Sequence, residues 1–197
     1  MIAFLRGKLV HREPTHVVIE VNGVGYHVQI SLQTFSAVKE QENVFLFTHL
    51  AIREDAHVLY GFASEGEKRL FQQLTSVNGV GPSTAIVMLS YMNEGELKSA
   101  IVREDAVALQ SIKGIGGKTA QRVIIELKDK LKKESWEESQ PSISQGGYNT
   151  VRKEALSALL TLGLPKAVAE KSIDSVLKKS GNTVTLEDLV KQALKNA

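Results

Sequence analysis

One stretch of this sequence occurs twice, and that duplication constrains the fold more than any other feature. Leu74–Leu89 reads LTSVNGVGPSTAIVML and Leu109–Ile124, 35 positions later, reads LQSIKGIGGKTAQRVI. Leu, Ser, both Gly, Thr and Ala coincide, and Val77/Ile112 and Val80/Ile115 are conservative replacements. Two copies are too few for a helical solenoid. Each copy predicts the apolar end of one helix, a Gly-x-Gly hairpin, and a second helix with alanine one turn in. Glycines 79, 81, 114 and 116 would let the backbone take positive φ and approach another molecule closely, while Ala85 and Ala120 allow tight helix packing. The first amides of the second helix then face outward with the positive end of its dipole, an anion site for which phosphate is the natural ligand. This is a helix–hairpin–helix signature, read as a sequence-independent grip on a nucleic-acid backbone. Paired copies can hold both strands of a duplex across its minor groove. The candidate backbone-binding residues are Gly79, Gly81, Ser83 and Thr84 in the first copy and Gly114, Gly116, Gly117, Lys118, Thr119 and Arg122 in the second. The plainer alternative is that each Gly-x-Gly only links two helices, and Arg122 is as well explained by a solvated helix face. Lys128, Lys130, Lys132 and Lys133 read as solvated surface.

The repeat is flanked by regions of different periodicity. Up to residue 63, period-two alternation predicts strands at Ile2–Lys8, Thr15–Val21, Val24–Ile30, Asn43–Arg53 and Ala56–Phe62, with a helical insert near Leu32–Val38. Asn22-Gly23 is a hairpin signal. Five short strands suggest a small closed barrel, an OB-fold in preference to an SH3-like barrel. After Ser64 the spacing becomes helical, with helices predicted at Lys68–Ser76, Pro82–Tyr91, Glu94–Val102, Asp105–Ser111 and Lys118–Lys133. Residues 134–149 are rich in Ser, Gln and Gly and poor in apolar residues, which describes a flexible linker. Beyond it, Thr150–Leu162, Pro165–Lys179 and Leu186–Lys195 predict a three-helix bundle. Gly163 and Gly181 are placed as helix C-terminal glycines, Pro165 can stand at a first helical position, and Thr185-x-x-Asp188 is a capping-box variant. The predicted domains are therefore 1–63, 64–133 and 150–197, joined across 134–149.

Several chemistries are excluded or disfavoured. The 197 residues include no cysteine, which removes disulfides, thiolate metal sites and thiol nucleophiles and fits a reducing cytoplasm. No signal-like or membrane-spanning apolar stretch is evident. Gly-Ile-Gly-Gly-Lys-Thr is not a Walker A loop, because the glycine required five positions before Gly117 is Ile112. A glycosylase reading with Lys118 as a Schiff-base nucleophile lacks a suitably placed aspartate and a base-binding domain. The histidines at 11, 16, 27, 49 and 57 match no compact metal motif by spacing and read as surface strand residues, so neither cofactor nor metal is expected.

The barrel, the hairpins Gly79-Val80-Gly81 and Gly114-Ile115-Gly116, the acidic turn Arg53-Glu54-Asp55-Ala56, the linker and the three-helix tail together resemble the RuvA family, DNA-binding subunits of the bacterial Holliday junction branch-migration complex. The resemblance spans essentially the whole chain and includes the Ile-Ala-Phe-Leu-Arg-Gly and Gly-Val-Gly-Tyr segments. It implies a non-catalytic subunit: a homotetramer, one or two copies per junction, that holds a four-way DNA junction open and planar. A C-terminal domain would engage the RuvB hexameric ATPase, and the RuvC resolvase is a candidate further partner. It also implies that Glu54 and Asp55 form an acidic pin facing the junction centre, and that the tail carries a motor contact, for which Leu159, Leu162, Leu164 and Ile173 are the candidates beside their alternative role as core. The first hairpin departs from the family pattern, with Ser83 where many members carry lysine. Two other readings compete: an accessory chain of a nuclease or glycosylase, and a peptide-binding adaptor whose hairpins are structural.

The formal net charge of +2 is uninformative as a sum. Its distribution is not: residues 1–63 carry −1, 64–133 carry +3, 134–149 carry −3 and 150–197 carry +3.

Overall fold

The computed structural model describes residues 2–139, 148–180 and 184–196. The chain separates into two compact units, Met1–Glu138 and Ser139–Ala197.

The first unit opens with five strands, β1 (Phe4–Glu13), β2 (His16–Val21), β3 (Val24–Ile30), β4 (Asn43–Ile52) and β5 (His57–Phe62), with helix α1 (Leu32–Val38) between β3 and β4. They close into a barrel in the order β1-β2-β3-β5-β4, antiparallel throughout except for the parallel β3–β5 pair. This order, with a helix after the third strand, is the OB arrangement and decides against the SH3-like alternative. Leu5, Leu9, Val17, Ile19, Val28, Ile30, Val44 and Leu46 fill the interior. Asn22 and Gly23 both have positive φ, as the hairpin signal requires. β1 runs five residues past its predicted end at Lys8. Past the buried Leu9 its extension, Val10–Glu13, is exposed throughout and carries no alternation of burial to read, and a bulge shifts its register between Leu9 and His11.

The helices that follow are α2 (Glu65–Thr75), α3 (Pro82–Tyr91), α4 (Glu94–Val102), α5 (Ala106–Gln110) and α6 (Gly117–Ser139). α2 begins three residues before its apolar periodicity because Ser64 caps it, its hydroxyl accepting from the Glu67 amide at 3.0 Å. The strand and helical regions share a core. Tyr60 and Phe62 of β5 pack on Phe71 of α2 at ring-centroid distances of 5.1 and 4.9 Å, and they belong to the same buried cluster as Leu70, Leu74, Met88, Leu97 and Leu109. A buried carboxylate adds a polar tie: Glu67 accepts hydrogen bonds from the Ser31 hydroxyl at 2.5 Å, the Thr34 hydroxyl at 2.7 Å and the Ala63 amide at 3.3 Å.

In the second unit α7 (Tyr148–Thr161), α8 (Lys166–Ser180) and α9 (Leu186–Lys195) pack around Ala155, Leu159, Ala169, Ile173, Val176, Leu189 and Ala193. Arg152 donates to Asp174 at 2.8 and 3.1 Å, clipping α7 to α8. At the end of α7, Gly163 N–H donates to the Leu160 carbonyl and Leu164 N–H to that of Leu159, the paired bonds of a Schellman motif. Pro165 stands one residue before α8, its carbonyl accepting from Val168 and Ala169. The Thr185 hydroxyl accepts from the Asp188 amide, while the Asp188 carboxylate takes the Thr185 hydroxyl instead of reaching back to its amide. The predicted linker is shortened from both sides, since 134–139 belong to α6 and 148–149 to α7; its middle and Gly181 lie outside the described residues.

Candidate nucleic-acid interface

The sequence repeat is also a repeat of structure. Leu74 and Leu109, Val77 and Ile112, Val80 and Ile115, Ala85 and Ala120, Met88 and Val123, and Leu89 and Ile124 are all buried, pair by pair. The backbone bonds repeat too: Val80 N–H to the Val77 carbonyl and Ile115 N–H to the Ile112 carbonyl are both 3.0 Å. Ala85 N–H to the Gly81 carbonyl is 3.0 Å and Ala120 N–H to the Gly116 carbonyl is 2.9 Å. Each copy is thus a tight turn that launches a helix directly from the second glycine.

The two glycines of each hairpin do different work: the freedom to take positive φ is used at the first and not at the second. Only Gly79 (φ 91°) and Gly114 (φ 90°) lie in the left-handed region. Gly81 is extended at φ −82°, ψ 168° and is the N-cap of α3 without a capping side chain; Gly116 is likewise absent from the positive-φ positions. A β-carbon at Gly116 would meet nothing within 4 Å, and one at Gly81 only the Arg53 guanidinium at 4.0 Å. The second glycines therefore keep a surface bare above the first turns of α3 and α6. The first-turn amides there have no intrahelical acceptor; Pro82 has no N–H, so α3 offers those of Ser83 and Thr84 and α6 those of Gly117, Lys118 and Thr119, bare donors at the positive end of each helix dipole.

The side chains around these amides are unequal. Lys118 is exposed, with no ion-pair partner among the described residues, beside part-buried Thr119. Ser83 occupies the matching place on α3 and brings no charge; Thr84 is half-buried. Arg122 donates at 3.1 Å to the Asn78 carbonyl in the first hairpin, so it braces one hairpin from the helix of the other. That tie accounts for the side chain without a phosphate contact. Lys128 is paired with Glu104, whose carboxyl it holds below the usual range by a hydrogen bond and by charge, in keeping with surface rather than interface.

Between β4 and β5, Arg53 N–H donates to the Ala56 carbonyl at 2.9 Å and closes the turn that displays Glu54 and Asp55. Both carboxylates are exposed, with no hydrogen-bond or ion-pair partner among the described residues. The Arg53 guanidinium lies 4.0 Å from where a β-carbon of Gly81 would stand, so the side chain beside the acidic turn comes near the first hairpin. Only the distance across the fold reveals that, for Arg53 and Gly81 are far apart in sequence.

Of the tail candidates, Leu159 and Ile173 are fully buried in the second unit's own core and are unavailable to a partner, a correction to their candidacy as contacts. Leu164 packs partly against that core, whereas Leu162 is 59% exposed. Leu160, Val168 and Leu194 are further exposed apolar residues, which helical spacing alone does not distinguish from core.

The histidines do not all behave as isolated surface residues. His11, Glu13 and His16 gather at the β1–β2 hairpin with donor atoms within 4.8 Å of one another, a cluster the linear spacing concealed because it forms across a turn.

A closed OB barrel sharing a core with two glycine hairpins that expose helix N-termini defines a protein of the nucleic-acid-backbone-binding class. Residues 1–61 match the model of the RuvA N-terminal domain, 71–129 that of the SAM-like helix-hairpin-helix tandem and 150–197 that of the RuvA C-terminal domain. The protein named Holliday junction branch migration complex subunit RuvA from Cytophaga hutchinsonii is 56% identical over 198 residues, covering 99% of both chains. The proteins of the same name from Flavobacterium psychrophilum and Christiangramia forsetii are 50% and 48% identical, covering 100% of both chains and 99% of both chains respectively. The chain belongs to the RuvA family.

Proposed function

We propose that this chain is the non-catalytic, junction-binding subunit of a branch-migration complex: it binds four-way DNA, holds it open and recruits the RuvB ATPase. The observation that carries the reading is the repeated hairpin, two bare helix N-termini in matching geometry on a unit that also displays an unpartnered acidic turn. The hairpins grip phosphate without reading bases. Glu54 and Asp55 repel phosphate at short range, within a Debye length of about 8 Å at physiological salt, and so disfavour uninterrupted duplex over the turn while strands exchange partners.

On this reading the working form is a cytoplasmic homotetramer, present once or twice on the junction. An apolar groove lined by Ile30, Leu32, Val58, Ile86 and Val87 between the barrel and α3 supports self-association. Residues 150–197 engage the motor through exposed apolar positions such as Leu162, and RuvC is a candidate further partner. Among the described residues no helix is long and apolar enough to cross a membrane. The testing experiment is competition between a synthetic four-way junction and linear duplex of equal arm length at several salt concentrations. Preference for the junction, with affinity falling steeply with salt, is expected; equal affinity for both substrates would sink the reading.

A further inference from the structure

The β1–β2 hairpin carries a cluster of donors that phosphate binding does not use. Along β1, Leu9 pairs with Ile19 but His11 pairs with Val18, so Val10 is an extra residue bulged out of the ladder. Without that bulge His11 would fall opposite Val17, whose side chain is fully buried in the barrel. The inserted residue reverses the parity and sets His11 and Glu13 on the outer face, where Glu13 pairs directly with His16. Nε2 of His11 then lies 3.2 Å from one Glu13 carboxylate oxygen, and Nδ1 of His16 lies 3.7 Å from the other. Donors bound to one tetrahedral Zn²⁺ at ~2.0–2.1 Å stand about 3.3 Å apart; the two histidine–carboxylate separations lie within a few tenths of an ångström of that spacing, and the three donors all lie within 4.8 Å of one another. The His27 ring stacks on His16 with centroids 4.5 Å apart and limits its rotation. Thr15 Oγ1, 3.3 Å from His16 Nδ1, is the competing neighbour a metal would displace.

We propose that His11, Glu13 and His16 form a three-ligand site for a divalent ion of the zinc class. Two imidazoles and one carboxylate are a borderline donor set that favours late first-row metals over Mg²⁺ or Ca²⁺. His11 and Glu13 are exposed, so the fourth coordination position opens to water. The bound ion ties the end of β1 to the start of β2 across Pro14 and Thr15, two residues that also line the groove beside α3. It therefore stiffens one wall of that groove.

The experiment is calorimetric titration of the full chain, free of any affinity tag, with Zn²⁺, alongside absorption spectra of the Co²⁺-loaded protein. One ion per chain is expected. His11→Gln, Glu13→Gln and His16→Gln should each weaken binding by at least about tenfold, while His57→Gln, on β5, which pairs with neither β1 nor β2, leaves it unchanged. Nitrogen ligation in the Co²⁺ spectrum should disappear in the double variant H11Q/H16Q, and circular dichroism of that variant in chelator should match the wild type, because His11 is exposed and the half-buried His16 lies outside the barrel's buried core. Binding that survives in the double variant, equal weakening by His57→Gln, or no binding at sub-millimolar Zn²⁺ overturns the proposal.

Discussion

At the scale of single residues the two glycines of each hairpin separate folding from binding. Gly79 and Gly114 hold φ near +90°, where a β-carbon costs about 1–2 kcal/mol; Gly79→Ala and Gly114→Ala should each lower stability by that amount in denaturant titrations. Gly81 and Gly116 hold conformations any residue adopts, with space around the missing β-carbon. Gly81→Ala and Gly116→Ala should therefore leave the denaturation midpoint nearly unchanged yet weaken junction affinity several-fold, because the added methyl stands where a phosphate must approach. Equal destabilisation by all four substitutions would contradict this division. The same logic ranks the side chains beside the bare amides. Lys118 supplies a charge and Ser83 does not, so Lys118→Ala should weaken junction binding more than Ser83→Ala. It should also make the salt slope shallower by about 0.9 for every phosphate that the lysine neutralises. Equal weakening by the two substitutions in a gel-shift titration would remove the asymmetry. What the sequence could not separate was first from second glycine, since both are written with the same letter and only the backbone angles distinguish them.

At the scale of elements, local signals proved legible wherever they were self-contained. α3, α4 and α9 fall on their predicted bounds, and each starts at a residue of its own segment: Pro82 as the first residue of α3, Asn93 capping α4 by accepting from the Glu96 amide, and Thr185 capping α9. The errors arise where an end is fixed by something other than periodicity: the Ser64 cap begins α2 early, and the bulge carries β1 onward through exposed residues. Least legible was the boundary drawn at residue 63, because Glu67 looks like an ordinary first-turn acid. In the fold it is 6% exposed and accepts from Ser31 and Thr34, at the start of α1, and from Ala63. It thus holds two helix N-termini together across the barrel–helix junction. Hydrogen bonds between hydroxyls and a carboxylate are among the stronger kinds, and Glu67→Gln would replace one acceptor oxygen with a donor facing donors. That change should cost about 2 kcal/mol in denaturant unfolding, with the barrel and helical regions still unfolding in one transition. Two separate transitions in the wild type would instead mean that the shared core of Tyr60, Phe62 and Phe71 does not couple them.

At the scale of the whole molecule, the division of labour follows charge and contact together. The hairpin region carries +3 and the barrel −1, and both lie in the compact unit Met1–Glu138. The helices of the second unit surround a core made only of their own residues. On the proposed function, a chain ending at Asn149 should bind four-way junctions with unchanged affinity while failing to stimulate the motor ATPase. The same cut removes the +3 of residues 150–197, which makes salt dependence the sharper measurement. If the tail contributes only to the motor, the slope of log affinity against log salt is the same for full-length and shortened chains, because that slope counts phosphates neutralised. A shallower slope in the shortened chain would show that basic residues of the tail touch DNA, and would move part of the grip away from the hairpins. Replacing Leu162 by Asp in the full chain complements the truncation. Leu162 is exposed, so the bundle should keep its fold by circular dichroism, junction affinity should not change, and any loss of ATPase stimulation then belongs to the partner surface alone.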